Sequence, residues 1–215
     1  MTADHAGGAP CAVVFDFGGV LIEWNPRHLF RKIYGPGEEA AMERFLTFVC
    51  SSSWNLMQDA GRTFDEGVAE LTARFPGEAE RISAYHHRWA EMVTHAFEDS
   101  VEVLEGLKEA GVPLYGITNF SVEKFAEARR RFPFFELFDG IVVSGEVRLI
   151  KPDPAIFLHF LETYGLTAGE CVFIDDSPVN VAAARRLGFH GIDFCGAEDL
   201  RIRLDAWGLL APASA

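Results

Sequence analysis

The 215-residue chain lacks the cysteine and histidine patterns that mark a zinc site. Its four cysteines include no Cys-x-x-Cys pair, and its seven histidines show no ligand spacing. We therefore predict that the cysteines are buried free thiols in a reducing compartment. They are Cys11, Cys50, Cys171 and Cys195.

Long hydrophobic runs and excess positive charge are also missing. No apolar stretch reaches the length of a transmembrane helix, and the small, polar stretch from Met1 to Pro10 contains no secretory-type hydrophobic region. The 19 basic and 32 acidic residues give a net charge of −13. Such a surface repels nucleic-acid phosphates and anionic lipids, so neither nucleic acid nor a membrane is an expected partner. The expected location is the cytoplasm.

Five short apolar runs alternate with helical patterns over much of the chain. The runs are residues 12–15, 112–117, 140–143, 171–174 and 189–194. The helical patterns lie at residues 101–110, 121–131, 154–164 and 178–187. Strands that alternate with helices predict an α/β fold with a Rossmann-like parallel sheet.

Residues 24–98 interrupt this alternation. They contain no clear β run, and their helical patterns are separated by glycine and proline. These patterns cover residues 27–34, 38–49, 63–74 and 78–96. We predict that residues 24–98 form a helical cap domain, inserted into a core domain made of residues 1–23 and 99–215. Two chain crossings would hinge the cap over the edge of the sheet.

Polar residues follow the predicted strands at the edge where open α/β sheets bind ligands. They are Asp16 after the first strand, Thr118 and Asn119 after the second, Lys151 soon after the third, and Asp175 and Asp176 after the fourth. Each has a structural explanation when taken alone: a helix N-cap, a solvated loop lysine, or acids that favour a helix dipole. Their occurrence at four strand ends favours one shared site.

The acids of this set meet the demands of phosphoryl transfer through a covalent aspartyl-phosphate. Asp16 is the candidate nucleophile. A carboxylate and a phosphate dianion repel each other, so a divalent cation must lie between them. Asp175 and Asp176 supply oxygen ligands that suit Mg²⁺.

The remaining polar residues are candidates for binding a small phosphorylated substrate. The Thr118 hydroxyl and the backbone N–H of Asn119 can bind phosphate oxygens. Lys151 can neutralise charge on both Asp16 and the phosphate, and we expect its replacement to reduce turnover far more than stability, as for any loop lysine. Catalysis of this kind depends mostly on positioning and electrostatics.

Four segments of the chain resemble the four motifs of the haloacid dehalogenase superfamily. They are Phe15-Asp16-Phe17-Gly18-Gly19-Val20, Ile117-Thr118-Asn119, Lys151-Pro152-Asp153-Pro154 and Phe173-Ile174-Asp175-Asp176-Ser177-Pro178-Val179-Asn180. The resemblance extends from residue 12 to about residue 194 and implies a core sheet with strand order 5-4-1-2-3. It also implies a Mg²⁺ ion bound by Asp16, the Gly18 carbonyl and Asp176, with Asp175 in support.

Most phosphatases in this superfamily carry at this position an aspartate that acts as general acid and base. This chain departs from that pattern, because it has Gly18 there. Loss of such an acid costs roughly 10²–10⁴ in rate. The Asp-x-Gly-x-Val start resembles a subset that acts on glucose 1-phosphate, and residues 59–66 are similar to that subset too. An anomeric hydroxyl leaves more easily than a primary alcohol, so a sugar 1-phosphate is a candidate substrate.

We therefore predict a Mg²⁺-dependent phosphatase of a small metabolite, and two other functions stay open. A hydrolytic 2-haloacid dehalogenase would use Asp16 to attack carbon without a metal, and it needs no acid at Gly18. The acidic pair would, however, repel its carboxylate substrate. A non-enzymatic phospho-acceptor or binding module would use the same residue types with slow turnover.

Overall fold

The computed structural model describes residues 9–210, so the prediction for the first ten residues lies almost wholly outside the described residues. Within this range the strands are β1 (Ala12–Phe15), β2 (Ile22–Trp24), β3 (Val93–Ala96), β4 (Leu114–Thr118), β5 (Gly140–Val143), β6 (Cys171–Asp175) and β7 (His190–Asp193). The helices are α1 (Arg27–Tyr34), α2 (Glu39–Phe48), α3 (Ser52–Asp59), α4 (Phe64–Arg74), α5 (Ala79–His87), α6 (Glu98–Glu109), α7 (Val122–Arg131), α8 (Ser144–Val147), α9 (Pro154–Tyr164), α10 (Pro178–Arg186) and α11 (Ala197–Asp205). None of the described helices is both long enough and apolar enough to cross a bilayer.

The main sheet is parallel, with strand order β5-β4-β1-β6-β7. When only these strands are counted along the chain, the order is the one that the resemblance implies. The central strand β1 pairs with both β4 and β6, so that Val14 lies between Tyr115 and Phe173. Because helices cover both faces, this strand is apolar along its whole length. The predicted α/β fold is confirmed.

Side chains of successive strand residues point to opposite faces of the sheet and supply two hydrophobic clusters. Ala12 and Val14 of β1 pack in the cluster that includes residues of α9 and α10. Val13 and Phe15 pack in a larger cluster that includes residues of α6 and α11. The alternation therefore places β1 between two helical layers.

Helix α9 shows why its predicted boundaries are correct. The Asp153 side chain accepts a hydrogen bond from the backbone N–H of Ala155 at 2.8 Å, and Pro154 occupies the first turn. Gly165 adopts a left-handed conformation at φ 65° and ends the helix.

The insert before α6 is mostly helical, but the prediction of helix over residues 78–96 is wrong in its second half. Helix α5 ends at His87, a short 3₁₀ helix covers Trp89–Glu91, and β3 follows. Strand β3 pairs antiparallel with β2, so the two chain crossings form a two-stranded ribbon. Local periodicity cannot reveal this pairing, because the partner strand lies far away in sequence.

All four cysteines are free thiols. Cys50 and Cys171 are buried as predicted, but Cys11 and Cys195 are exposed. Cys11 precedes β1 and Cys195 follows β7, so both lie where the chain leaves the sheet. The prediction of burial extended the apolar strands one residue or more too far.

Candidate active site

The carboxyl edge of the main sheet gathers the polar residues that the sequence analysis selected. Asp16 directly follows β1, and its backbone N–H donates to the Ile174 carbonyl at 2.8 Å, which continues the ladder with β6. Thr118 and Asp175 are the last residues of β4 and β6. Lys151 lies in the loop between α8 and α9.

Lys151 is buried between two carboxylates, which excludes a solvated loop lysine. Its Nζ lies 2.9 Å from Oδ1 of Asp16 and 2.7 Å from Oδ2 of Asp175, and its side chain is 1% exposed. Asn119 fixes the loop that carries it. Oδ1 of Asn119 accepts the backbone N–H of Lys151 at 2.8 Å, and Nδ2 donates to the Lys151 carbonyl at 3.0 Å. The Asn119 side chain therefore positions Lys151.

The two adjacent acids of the fourth strand end differ in their surroundings. Both oxygens of Asp175 accept hydrogen bonds, from Lys151, from the backbone N–H of Ser177 and from Nδ2 of Asn180. Asp176 is exposed and lies against Gly19. Gly19 has φ +73°, and a Cβ there would collide with the Asp176 carboxylate. Glycine at this position therefore allows the loop after β1 to approach Asp176.

Negative charge is in excess at this edge. Burial raises the pKa of Asp16 to about 6, against the opposing effect of Lys151 and with a further rise from Asp175. Burial disfavours the ammonium of Lys151, but the two carboxylates outweigh it and raise the pKa of that group. Asp16, Asp175 and Asp176 each offer a carboxylate oxygen within 4.8 Å of the others. Hard oxygen donors with uncompensated charge fit a divalent cation such as Mg²⁺.

A cavity of about 110 Å³ lies above this edge, between the core and the insert. Asp16, Gly18 and Thr118 form part of its floor. The apolar and aromatic residues that line it are Ile22, Trp24, Phe64, Trp89 and Phe120. The other polar residues that line it are Asn55, Asp59, Asn119, Ser121 and Lys124.

Lys124 is a second cation at the cavity that the sequence analysis missed. Its Nζ donates to the His86 carbonyl at 2.7 Å and lies 5.4 Å and 5.9 Å from the ring centroids of Phe64 and Trp89. Lys124 as a whole is only 6% exposed. Read in sequence, it is one polar position near the start of a charged helix, and nothing local distinguishes it from a solvated lysine.

Asp59 is an acid of the insert that also faces this cavity, and it was missed as a site residue. It ends α3, a helix that the predicted patterns did not include, and the helix dipole opposes negative charge at this end. Burial, helped by the negative charge of Asp16, raises the pKa of the Asp59 carboxyl to about 7. Two acids of different origin therefore share the cavity.

Gly18 leaves room for a side chain. A Cβ built on this residue has no atom within 4 Å, and its backbone does not adopt a positive φ. The cavity floor therefore lacks a carboxyl group at the position where most phosphatases of the resembled superfamily carry one, although the fold has space for it.

Comparison with known proteins places the chain in a family. Residues 12–188 match the family model described as haloacid dehalogenase-like hydrolase. A sesquiterpene phosphatase of Aspergillus oryzae is 27% identical, over 84% of this chain and 88% of its own length. An (S)-2-haloacid dehalogenase of Burkholderia cepacia is 25% identical, over 72% of this chain and 64% of its own length.

Among solved structures, a HAD family enzyme of Bacteroides thetaiotaomicron in complex with magnesium and inorganic phosphate is similar. It is 25% identical with a TM-score of 0.66, over 85% of this chain and 93% of its own. Several relatives carry the names of phosphatases, which supports hydrolysis of phosphoric monoesters. The motifs, the sheet order and these matches agree, and the chain belongs to the haloacid dehalogenase-like hydrolases.

Proposed function

We propose that this chain is a Mg²⁺-dependent phosphatase that hydrolyses a small phosphorylated metabolite through an aspartyl-phosphate on Asp16. The observation that carries the proposal is the buried Lys151 ammonium, which lies 2.9 Å from Asp16 and 2.7 Å from Asp175. A fixed cation beside a carboxylate at the end of a central strand suits an anionic nucleophile that must meet an anionic substrate. The phosphatases among the relatives support the same chemistry.

In this proposal the Asp16 carboxylate attacks phosphorus, and the core residues around it bind the phosphate. Thr118 contributes its hydroxyl, and Asn119 contributes its backbone N–H, because its side chain already holds the Lys151 loop. Lys151 neutralises charge that accumulates on Asp16 and on the phosphate oxygens. Asp175 keeps Lys151 in place through the ion pair at 2.7 Å.

The residues that the superfamily resemblance implies are able to form a metal site. Asp16, the Gly18 carbonyl and Asp176 would hold Mg²⁺. Asp175 would support the site from behind, since both of its oxygens already accept hydrogen bonds from the protein. When bound, the ion would offset the repulsion between the nucleophile and the phosphate. The magnesium and phosphate complex of the Bacteroides relative supports this assignment.

The substrate that we propose is a small phosphate ester, with a sugar 1-phosphate as the first candidate. We assign the cap to residues 24–98, which supply Trp24, Asn55, Asp59, Phe64 and Trp89 to the cavity. The cavity volume of about 110 Å³ is small compared with the roughly 300–1,000 Å³ of drug-sized ligand sites, which favours a small leaving group. Without an acid at Gly18, the floor of the site favours alcohols that leave easily.

A 2-haloacid dehalogenase is the second candidate, and the absence of a carboxyl group at Gly18 is the observation that favours it. Halide departs without a proton, so this chemistry needs no general acid there. The acids beside Asp16 oppose it, because they would repel a carboxylate substrate when no metal is present.

The experiment that separates these functions is a substrate screen with and without Mg²⁺. The panel contains glucose 1-phosphate, glucose 6-phosphate, p-nitrophenyl phosphate, a sesquiterpenyl phosphate and 2-chloropropionate. We expect phosphate release that EDTA abolishes and Mg²⁺ restores. Halide release that persists in EDTA would favour the dehalogenase. Stable phosphorylation without turnover on every ester would favour a phospho-acceptor.

A further inference from the structure

The proposed reaction needs a proton donor that the core does not supply. When phosphorus–oxygen cleavage expels an alkoxide, that oxygen must gain a proton, and position 18 carries glycine. Asp59 lines the same cavity as Asp16 and Gly18 but approaches from the cap. It is therefore a carboxyl group on the side of the cavity from which the leaving group would depart.

Hydrogen bonds to both the cap and the core hold Asp59 in place. Its carboxylate accepts a hydrogen bond from Nδ2 of Asn55 at 3.0 Å, and Ser121, in the loop after β4, lines the same cavity. Its backbone carbonyl accepts from Oγ of Ser144 at 2.6 Å, and the same Oγ accepts the backbone N–H of Phe120 at 2.9 Å. The Ser144 hydroxyl thus links the end of α3 to the loop that follows Thr118, beside the proposed phosphate site.

We propose that Asp59 is the general acid and base of this enzyme and takes the place of the carboxyl group that is absent at position 18. This inference rests on the proposed phosphatase function. A proton donor on the cap reaches the leaving group only when the cap covers the site, so chemistry and enclosure of the substrate are coupled.

The carboxyl group of Asp59 can then serve both half-reactions, as the proton donor in the first and the proton acceptor in the second. In the first, an Oδ of Asp16 bonds to phosphorus, the bond to the leaving oxygen breaks with its electron pair, and Asp59 gives that oxygen its proton. In the second, water attacks phosphorus, Asp59 takes a proton from it, and the bond to Asp16 breaks. The products are the free alcohol and inorganic phosphate, and both acids return to their starting states.

The surroundings of Asp59 favour this role. The other charged side chains that line the described cavity are Asp16 on the floor and Lys124 from α7. Burial and the negative charge of Asp16 raise the pKa of the Asp59 carboxyl to about 7, so both of its protonation states are populated near neutral pH. An acid and base works best when its pKa lies near the working pH.

The test compares the leaving-group dependence of the wild type with that of Asp59→Asn. We expect kcat/KM of the variant to fall about 100-fold for glucose 6-phosphate, whose alcohol needs protonation, and less than about 10-fold for p-nitrophenyl phosphate. Glucose 1-phosphate falls between them. The ratio of kcat/KM for two substrates does not depend on how much of the enzyme is folded, so partial unfolding of the variant cannot produce this result.

A second measurement follows the other half-reaction. With p-nitrophenyl phosphate, acid-quenched Asp59→Asn should contain more phosphorylated enzyme than the wild type, because water then lacks its base. Asp65→Asn is the matched control, since Asp65 is a neighbouring cap acid whose side chain is 91% exposed. The control should keep wild-type ratios and wild-type levels of phospho-enzyme.

Two outcomes overturn the inference and identify which part fails. If the wild type hydrolyses these esters but Asp59→Asn loses equal activity on all of them, or none, then Asp59 is not the proton donor and the proposed function stands. If the wild type hydrolyses no phosphate ester in Mg²⁺, the proposed function fails and takes the role of Asp59 with it.

Discussion

The cavity has a floor at the edge of the main sheet, which includes Asp16, and a roof on the opposite side, which includes Asp59. These two acids have different partners. On the floor, Asp16 faces a buried ammonium at 2.9 Å, and burial raises the pKa of its carboxyl only to about 6. On the roof, the side chain of Asp59 accepts a hydrogen bond from the neutral amide of Asn55, and burial raises the pKa of that carboxyl to about 7. The ammonium beside Asp16 therefore favours the ionised carboxylate that the proposed nucleophile needs, whereas the neutral amide beside Asp59 favours ionisation of that carboxyl less.

The two acids also differ in how the fold holds them. Asp16 continues the hydrogen-bond ladder of the central strand, whereas Asp59 ends the short helix α3 and its backbone carbonyl accepts a hydrogen bond from the Ser144 hydroxyl. The proposed nucleophile, positioned by the main sheet, and the proposed proton donor, positioned by α3, can therefore be altered separately. Pairs of acids with contrasting surroundings indicate separate roles better than either acid alone.

The largest expected effect is that of Asp16→Asn. We expect turnover to fall by about 10⁴-fold or more, because the amide is a poor nucleophile and no covalent intermediate forms. The fold should persist, since the change removes one of several crowded negative charges. Steady-state hydrolysis and circular dichroism measure the two effects. Turnover near the wild-type level would contradict the assignment of the nucleophile.

Lys151→Ala should reduce both activity and stability. We expect a loss of about 10²–10³-fold in kcat, and a fall of about 3–5 kcal/mol in the free energy of unfolding because the buried Asp175 loses its cation. The sequence-based expectation of a small effect on stability is therefore revised. Lys108→Ala is the control, because Lys108 pairs with Asp139 at 2.7 Å with its side chain 37% exposed and should cost no more than about 1 kcal/mol. Equal melting curves for the two variants would contradict the burial argument.

Gly19→Ala should weaken metal binding on the floor and leave the roof unchanged. The added Cβ would meet the Asp176 carboxylate, and the positive φ disfavours alanine, so the two groups must move apart. We expect about a 10–100-fold loss of Mg²⁺ affinity, measured by Mg²⁺ titration of phosphate release. Gly77→Ala, at an exposed cap position with no atom within 4 Å of the added Cβ, should bind Mg²⁺ as the wild type does. An unchanged titration for Gly19→Ala would remove Asp176 from the proposed metal site.

The last expected effect is a pH-dependent gain in stability from Asp59→Asn. The pKa of Asp59 is higher in the folded protein than in the unfolded chain, so the folded state retains a proton that the unfolded chain releases between about pH 4 and pH 7. The contribution of this group to stability is present below that window and is lost as pH rises through it. Relative to the wild type, the variant should therefore gain about 2–4 kcal/mol between pH 4 and pH 8.

Urea unfolding at both pH values measures this difference, with Asp65→Asn as the exposed control. A difference between wild type and Asp59→Asn that does not change with pH would show that Asp59 titrates normally. It would then have no special surroundings, and the contrast between roof and floor would disappear.

The floor of the site was predictable from the sequence because each of its residues follows a strand. Apolar runs identify parallel strands, and the topology of such a sheet brings their carboxyl ends to one edge. The burial of Lys151 was not predictable, because it depends on Asn119 holding the loop through two hydrogen bonds from another strand end. The hydrogen bond from Asn180 to Asp175 likewise depends on the turn into α10.

The roof was not predictable in the same way. Its residues come from α3 and α4, from the loop after β4 and from α7, and no strand end marks them. In the sequence, Asp59 stands out only as part of a segment that resembles a subset of the family, and its place over Asp16 depends on tertiary contacts such as the one to Ser144. The ribbon of β2 and β3 was missed for the same reason, since its two strands are joined only by folding.

Detection of phosphate on Asp16 tests the central claim most directly. The wild type and Asp16→Asn are mixed with p-nitrophenyl phosphate and Mg²⁺, quenched in acid within the first turnover, and digested for mass spectrometry of the peptide that contains residue 16. We predict an acid-stable, base-labile phosphoryl group on Asp16 in the wild type and none in the variant. Phosphate release by the wild type with no phosphorylation of Asp16, or with phosphorylation of another residue, would contradict the proposed mechanism.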